Sequence, residues 1–183
     1  RITSKILNKH NIKTDMKTYH EHNATRVRPA ILRKIKQGGA IALVSDAGTP
    51  TISDPGYKLV KECIGSGIEI SATPGANAAI TGLLLSGLPT NRFLFAGFLN
   101  SKTNQRRNEL KDPANVSATL IFYESANRIA KTQKDMVEQL GDRPATIARE
   151  LTKRHEEIRR NKLSVLISHY LKTGAPKGEI VIV

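Results

Sequence analysis

The sequence is poor in cysteine, tryptophan and acidic residues, and it has no long apolar run. The one cysteine, Cys63, cannot form an internal disulfide, and no Cys and His residues have the spacing of a zinc site. We therefore expect no bound metal and a reducing, cytoplasmic environment. No apolar run approaches the roughly 18 to 20 residues that a membrane span needs, and the first residues contain no signal-peptide core. We expect neither membrane insertion nor secretion.

The shortage of acidic residues leaves a strong positive charge. The 183 residues include 29 Lys and Arg against 16 Asp and Glu, which gives a formal net charge of +13. This balance favours a polyanionic partner, either nucleic acid or an acidic membrane surface. Residues 41–97 are almost neutral, with 3 basic and 4 acidic side chains. We infer that a small ligand binds near this middle segment, while the basic flanking segments contact the charged partner.

Alternating helical and strand patterns predict an α/β fold of two lobes. The predicted helices cover residues 27–35, 57–64, 76–85, 129–140 and 163–171, and the predicted strands cover residues 40–44, 68–71, 93–98, 118–123, 146–148 and 180–183. The first half favours a mainly parallel sheet and the second half a mixed sheet. Turn residues at 86–90 divide an N-terminal α/β lobe (1–88) from a C-terminal α/β lobe (89–183).

Residues 45–57 begin where a predicted strand ends, and ligands bind at that edge of open α/β sheets. Asp46 can hydrogen-bond a ligand hydroxyl or amine, and Gly48 permits close approach of the backbone. Asp54 and Pro55 fit the start of a helix, so capping is sufficient to explain them. Residues 74–79 place small side chains at a second helix start. The chain lacks the glycine-rich dinucleotide and Walker A motifs, which disfavours ordinary nucleotide-phosphate binding.

Ordered segments along nearly the whole chain resemble one known family. They are Tyr-His-Glu-His-Asn at residues 19–23, the segment 45–57, Pro-Gly at 74–75, Ser-Gly-Leu-Pro-Thr at 86–90, Phe-Tyr-Glu-Ser at 122–125, Ala-Arg-Glu-Leu-Thr-Lys at 148–153, His-Glu-Glu at 155–157 and Gly-Glu-Ile-Val at 178–181. Together they resemble the ribosomal RNA small subunit methyltransferase I type of the tetrapyrrole (corrin/porphyrin) methylase superfamily.

The resemblance implies a two-lobed tetrapyrrole methylase-like enzyme that binds S-adenosylmethionine in a cleft between its lobes. It implies 2′-O-methylation of a cytidine ribose in 16S ribosomal RNA of the small subunit, by a homodimer. The cofactor residues carried over are Asp46, Ala47, Gly48, Thr49, Asn77 and Ala78, with Tyr123, Glu124, Ala148 and Arg149 from the second lobe. Family members begin with a strand and a Pro-Ile-Gly-Asn-Leu-like loop, and they carry a C-terminal extension. We therefore expect both ends of this chain to be truncated.

Methyl transfer from a sulfonium is an in-line displacement, so positioning of the acceptor oxygen dominates. A base near the ribose hydroxyl would help, and the groups near predicted strand ends are His20, Glu21, His22, Glu124 and Glu150. We select His22 and Glu150 as catalytic candidates.

Basic residues supply the expected RNA contacts. Lys102, Arg106 and Arg107 follow the predicted strand at 93–98 as a loop, and Lys153 and Arg154 lie in a basic run. Phosphate contacts are the expected use of these side chains. Because aromatic residues make up only 4% of the chain, backbone and shape contacts to folded RNA are favoured over base stacking.

Two other functions stay open at this point. One is C-methylation of a small tetrapyrrole of the precorrin or porphyrin type, because its carboxylates also suit a basic protein. The other is a non-catalytic RNA-binding module.

Overall fold

The computed structural model describes residues 2–183, which divide along the chain into two compact units, one up to Ala76 and one of Asn77–Val183. The first unit contains the helices α1 (Ile2–Lys9), α2 (Glu21–Lys36) and α3 (Tyr57–Gly65). The helices predicted at residues 27–35 and 57–64 are thereby confirmed, while α1 is an addition.

The strands predicted at residues 40–44 and 68–71 are not formed, and no described residue of the first unit lies in a strand. Ile41, Val44 and Ile70 are 41%, 58% and 44% exposed. A strand is stabilised by ladder hydrogen bonds to a neighbour, and neither segment has such a neighbour among residues 2–183. The expected parallel sheet in the first half is therefore absent from the described residues.

The second unit contains a mixed five-stranded sheet covered by helices. Its elements are α4 (Ala78–Ser86), β1 (Phe93–Phe98), α5 (Thr103–Ala114), β2 (Thr119–Ser125), α6 (Ile129–Leu140), β3 (Pro144–Arg149), β4 (Glu157–Lys162), α7 (Leu163–Thr173) and β5 (Glu179–Ile182). The strand order is β1-β2-β5-β3-β4, with β1 and β2 parallel and the other pairs antiparallel. The α/β class and the mixed sheet are confirmed.

Two apolar layers cover the two faces of this sheet, because successive side chains of a strand point to opposite faces. Phe122 and Ile147 lie in the larger layer, with the helices α5, α6 and α7. Ile121 and Ala148 lie in the smaller layer, against α4. At Gly82 of α4, a Cβ atom would come within 2.9 Å of the Val181 side chain, so glycine permits this close helix–sheet contact.

The carboxyl ends of β1, β2 and β3 lie along one edge of the sheet, together with the amino ends of β4 and β5. We call this the carboxyl edge. Near it, β1 has a bulge at Ala96, followed by Gly97 at φ +67°. The extra residue turns Phe98 to the same face as Phe95, and Phe98 pairs with Tyr123 of β2.

Candidate functional site

Tyr123 links the start of α4 to the carboxyl edge. Its hydroxyl accepts a hydrogen bond of 3.2 Å from the backbone N–H of Ala79. Its ring centroid lies 4.8 Å from that of Phe95 and 5.4 Å from that of Phe98. Burial raises the pKa of the Tyr123 hydroxyl, so the group stays protonated and can donate to a ligand.

The amino end of α4 is closed by Asn77, whose side-chain oxygen accepts a hydrogen bond of 3.2 Å from the N–H of Ile80. Ala78 is the first residue of the helix. Since Tyr123 binds the next residue, Ala79, the structure brings together three of the predicted cofactor residues, namely Asn77, Ala78 and Tyr123.

Ala148 and Arg149 end β3 with their side chains on opposite faces. Ala148 is fully buried, so its side chain serves packing. Arg149 donates from Nε to Oε2 of Glu157 and from Nη1 to the carbonyl of Lys177, each at 2.9 Å. Burial would raise the pKa of Glu157, but its guanidinium partners lower it overall. The Arg149 guanidinium is thus already engaged with protein groups.

Glu124, a predicted cofactor residue, does not face the Tyr123 side of the sheet, which disfavours that role. It is 2% exposed. Its Oε1 accepts from the N–H of Ser125 at 2.7 Å, and its Oε2 accepts from Arg128 at 3.1 Å and from the Thr132 hydroxyl. Both carboxylate oxygens are occupied, so the side chain serves the interior of the protein.

Glu150 begins the turn from β3 to β4 with a positive φ of 49°. Its Oε1 accepts from the N–H of Glu179 at 3.0 Å and from Nζ of Lys153 at 2.9 Å. The Glu179 N–H and then Lys153 lower the pKa of the Glu150 carboxyl. A carboxylate held in this way is a poor proton acceptor near neutral pH, so these contacts disfavour Glu150 as a base. It fixes the turn against β5.

Arg106 is not in a loop and cannot reach an RNA phosphate, which corrects its prediction. It lies in α5, is 2% exposed, and its Nε donates to Oδ2 of Asp135 at 2.6 Å. Arg107 also contacts Asp135, at 2.8 Å, and pairs with Glu138 at 2.6 Å. An RNA phosphate would therefore have to compete with these two carboxylates for the Arg107 guanidinium.

Three of the predicted RNA-contacting residues have exposed side chains. Lys102, just before α5, and Arg154, in the turn after β3, are exposed and have no ion-pair partner among residues 2–183. Lys153 is 46% exposed and pairs with Glu150 and Glu179, each at 2.9 Å. These residues leave positive charge at the loops of the carboxyl edge.

In the first unit, the loop that carries the predicted cofactor residues 46–49 is hydrogen-bonded to the last residue of the unit. The hydroxyl of Thr49 donates to the carbonyl of Ala76 at 2.9 Å, and Ala76 directly precedes Asn77. Ala47 and Gly48 are exposed beside it. Asp46 is also exposed and accepts a bond of 3.3 Å from the Thr3 hydroxyl.

The loop that follows carries unusual backbone conformations. Thr51 and Ser53 have φ of +73° and +53°, although neither is glycine. Such conformations cost free energy and often occur at functional sites. Asp54 does not cap the next helix, because α3 begins at Tyr57 after the cap residue Gly56.

His22 lies exposed on the first turn of α2, with its ring centroid 6.0 Å from that of His20. The neighbouring Asn23 is buried. Its Oδ1 accepts from the N–H of His20 at 2.9 Å, and its Nδ2 donates to the carbonyl of Thr18 at 3.0 Å. Asn23 therefore fixes the start of the helix, while the imidazole of His22 is free to approach a ligand.

The described residues contain neither a candidate membrane-spanning helix nor a candidate metal site. Within residues 2–183, no helix has the length and apolar character that a bilayer crossing requires. In the same residues, no three His, Cys, Asp or Glu side chains form a group that could hold a metal ion.

Comparisons with known proteins agree with this architecture. The family described as Tetrapyrrole (Corrin/Porphyrin) Methylases matches residues 2–167. Among solved structures, uroporphyrin-III C-methyl transferase from Thermus thermophilus, complexed with S-adenyl homocysteine, has a TM-score of 0.61 at 16% identity, covering 94% of this chain and 78% of that one. A diphthine synthase has a TM-score of 0.62 at 15% identity, covering 89% and 64%. At these identities the likeness shows the fold alone.

Sequence relatives are much closer. Proteins named ribosomal RNA small subunit methyltransferase I from Mesorhizobium japonicum and Thermotoga maritima are 46% and 43% identical over the whole chain, which spans 62% and 82% of their lengths. The relative of that name from Halalkalibacterium halodurans is 46% identical, and the chain spans 63% of it. The chain therefore belongs to the tetrapyrrole (corrin/porphyrin) methylase family, within its group of ribosomal RNA small subunit methyltransferase I sequences.

Proposed function

We propose that the chain takes part in S-adenosylmethionine-dependent methylation of ribosomal RNA of the small ribosomal subunit. The identity of 46% over the whole chain to a relative of that name is the observation that carries this proposal. The net charge of +13 supports an RNA partner. The likeness in fold to a uroporphyrin-III methylase does not favour a tetrapyrrole substrate, because identity is only 16%.

The residue chemistry fits S-adenosylmethionine, which would supply an activated methyl group. Asp46 offers an exposed carboxylate for hydroxyl or ammonium groups. Ala47, Gly48 and Thr49 form a backbone segment held by the Thr49 bond to Ala76. Asn77 and Ala78 open a helix whose start is fixed by Tyr123. We propose these residues as the cofactor contacts. Ala148, through packing, and Arg149, through its hydrogen bonds to Glu157 and Lys177, would instead support the neighbouring backbone.

The finer proposal is transfer to the 2′-hydroxyl of a cytidine ribose in 16S RNA. A ribose hydroxyl is a weak acid, so a base that takes its proton as the bond forms would increase the rate. We propose His22 for this role, supported by its exposed imidazole. Since Glu150 is held by Lys153 and Glu179, it does not compete for the role.

The proposed RNA contacts are Lys102 and Arg154, with Lys153 and Arg107 in a secondary role because both are ion-paired. Exposed cations without partners give up no protein ion pair when they bind a phosphate. We also propose that the protein acts as a homodimer in the cytoplasm, a proposal supported by the family resemblance.

The experiment is transfer of labelled methyl from S-adenosylmethionine by the full chain to purified small ribosomal subunits lacking the modification. Large subunits and a uroporphyrin-type tetrapyrrole are the comparison acceptors. The proposal expects label in small-subunit RNA only. Label in the tetrapyrrole, or in no acceptor, would contradict it.

The role of His22 needs a separate variant. His22→Ala should lower the single-turnover rate on saturating small subunits by about 100-fold, the size usual for general base catalysis, with cofactor affinity unchanged. His10→Ala, another exposed histidine of the first unit, should retain the parental rate. An unchanged rate and pH profile in His22→Ala would remove this residue from the mechanism.

A further inference from the structure

Residues 99–102, which join β1 to α5, are fixed by two arginine side chains. Arg128 donates from Nη2 to the carbonyl of Leu99 at 2.6 Å. Arg106 donates from Nη1 to the carbonyls of Asn100 and Ser101, at 3.2 and 3.0 Å. Three successive carbonyl groups of one short turn are therefore held by guanidinium groups.

The backbone N–H groups of the same turn are also held. The N–H of Asn100 donates to Oε2 of Glu109 at 2.7 Å, and the N–H of Lys102 donates to Oδ1 of Asn100 at 3.0 Å. In an ordinary surface turn, most backbone N–H and C=O groups form hydrogen bonds with water. The conformation of residues 99–102 is thus determined by Arg106 and Glu109 of α5, by Arg128 just before α6, and by the turn's own Asn100.

Each arginine is anchored by a buried carboxylate. Arg106 pairs with Asp135, and each side chain is only 3% exposed. Arg128 pairs with Glu124, whose side chain is 1% exposed. Burying such pairs costs desolvation energy, and apolar side chains would often serve stability equally well. The pairs are therefore better explained by the geometry they impose on the turn than by stability.

The turn lies where a substrate contact is useful. It follows Phe98 at the carboxyl edge, and the Phe98 ring packs on Tyr123, which holds the start of α4. Ser101 and Lys102 are exposed on its outer side. In sheets of this kind, loops beyond the carboxyl ends of parallel strands contact ligands.

We propose that Arg106 and Arg128 are positioning residues that hold residues 99–102 as a preformed contact surface for the ribose-phosphate backbone of the RNA substrate. Ser101 and Lys102 make the contacts, and the two arginines touch no RNA. A turn that is already ordered does not pay an ordering cost when RNA binds. The inference rests on the proposed function, since it assigns the substrate side of the same site.

The test is Arg128→Lys in the full chain, because Arg128 is partly exposed and the change keeps its charge. A lysine ammonium cannot hold Glu124 and the Leu99 carbonyl in one planar fork. We expect binding to small subunits to weaken about tenfold, because the loosened turn then has to be ordered when RNA binds. We expect methyl transfer at saturating RNA to slow by about 10- to 100-fold, with S-adenosylmethionine affinity unchanged.

Arg143→Lys is the matched control. Arg143 also holds a carbonyl, that of Leu140, with Nε at 2.8 Å, but it lies next to Pro144 at the opposite edge of the sheet. Its variant should keep the parental affinity and rate. Thermal unfolding midpoints of both variants set a temperature at which all proteins are folded, so that a loss of stability does not imitate a loss of rate.

The outcomes separate the two proposals. Parental RNA affinity and parental rate in Arg128→Lys would overturn the positioning role. If the parent protein binds small subunits but transfers no methyl group, the proposed function fails, and the affinity of Arg128→Lys alone decides the positioning role. If the parent does not bind small subunits at all, both proposals fail.

Discussion

Arg106 and Asp135 form an ion pair inside the second unit, with 2.6 Å between Nε and Oδ2 and 3% of each side chain exposed. The pair joins α5 to α6 across 29 positions of the sequence. One of the three cations that follow β1 is thereby removed from any RNA surface. The same contact gives α5 a structural role beside its exposed residues.

Loss of Asp135 should destabilise the protein strongly. Asp135→Ala leaves the Arg106 guanidinium buried without its carboxylate, which typically costs about 3 to 5 kcal/mol. Glu138→Ala is the control, because Glu138 pairs with Arg107 and both side chains are 38% exposed. An exposed pair of this kind contributes about 1 kcal/mol or less. Urea unfolding gives the free energy of unfolding of both variants. Equal decreases in Asp135→Ala and Glu138→Ala would show that burial of the Arg106–Asp135 pair does not determine the cost.

RNA binding should depend on salt through Lys102 and Arg154. Replacing both with Ala should reduce the slope of log affinity against log salt by up to about 2, since each phosphate contact contributes about 0.7 on single strands and about 0.9 on duplex DNA. Lys111→Ala, an exposed lysine near the other end of α5, should leave the slope unchanged. Binding to small subunits across a salt series decides this, and a parental slope in the double variant would exclude these contacts.

Asp46 should contribute to cofactor affinity. Asp46→Ala removes an exposed carboxylate, so we expect S-adenosylmethionine to bind about tenfold more weakly, or ~1.4 kcal/mol. Asp15→Asn, another exposed acid of the first unit, should bind the cofactor like the parent. Calorimetric titration of folded proteins gives both values. Equal dissociation constants for Asp46→Ala and the parent would withdraw Asp46 from the site.

Glu150 should make stability depend on acid pH. Contacts with the Glu179 N–H and Lys153 lower its pKa in the folded protein, below the value of about 4.3 for an unfolded chain. Its contribution is therefore present above about pH 4.3 and is lost as the pH falls through the lower folded value. Glu150→Gln should be less stable than the parent near neutral pH, and the difference should shrink towards pH 3.

Urea unfolding of parent and Glu150→Gln between about pH 7 and 3 checks this dependence. Glu69→Gln is the control, since Glu69 is exposed and has no hydrogen bond or ion pair within residues 2–183, so its difference from the parent should not change over this pH range. A difference between Glu150→Gln and the parent that stays constant over the whole range would show that ionisation of Glu150 does not stabilise the turn.

The second unit was largely predictable because local patterns and final structure agree there. The strand at residues 93–98 and the helix at residues 129–140 have the predicted bounds. In α6, the apolar residues Ile129, Met136 and Leu140 face the core at helical spacing. The strands predicted at residues 40–44 and 68–71 are not formed. An apolar run is compatible with a buried strand, but it does not show that a neighbouring strand is present to pair with it.

The candidate site was predictable in its segments but not in its contacts. The resemblance nominated Tyr123 and the start of α4, and their hydrogen bond spans 44 positions, beyond any local pattern. Burial of Arg106 was missed for the same reason, because it depends on Asp135, 29 positions away. Burial of Glu124 was missed although its partners Arg128 and Thr132 lie only 4 and 8 positions away. The sequence held one indication of a buried ion pair, because Asp135 is an acidic residue among the apolar positions of a predicted helix. The cofactor roles themselves stay predictions.

The most direct measurement of the central claim is nucleoside analysis by mass spectrometry of 16S RNA from small subunits treated with the full chain and S-adenosylmethionine. The substrate is subunits from cells that lack the modification, and the negative control omits the cofactor. We expect one new 2′-O-methylcytidine, with its methyl group derived from the cofactor and absent from the control. A methyl group on a base, or RNA with no new methyl group under conditions where the folded protein binds the subunits, would contradict the account.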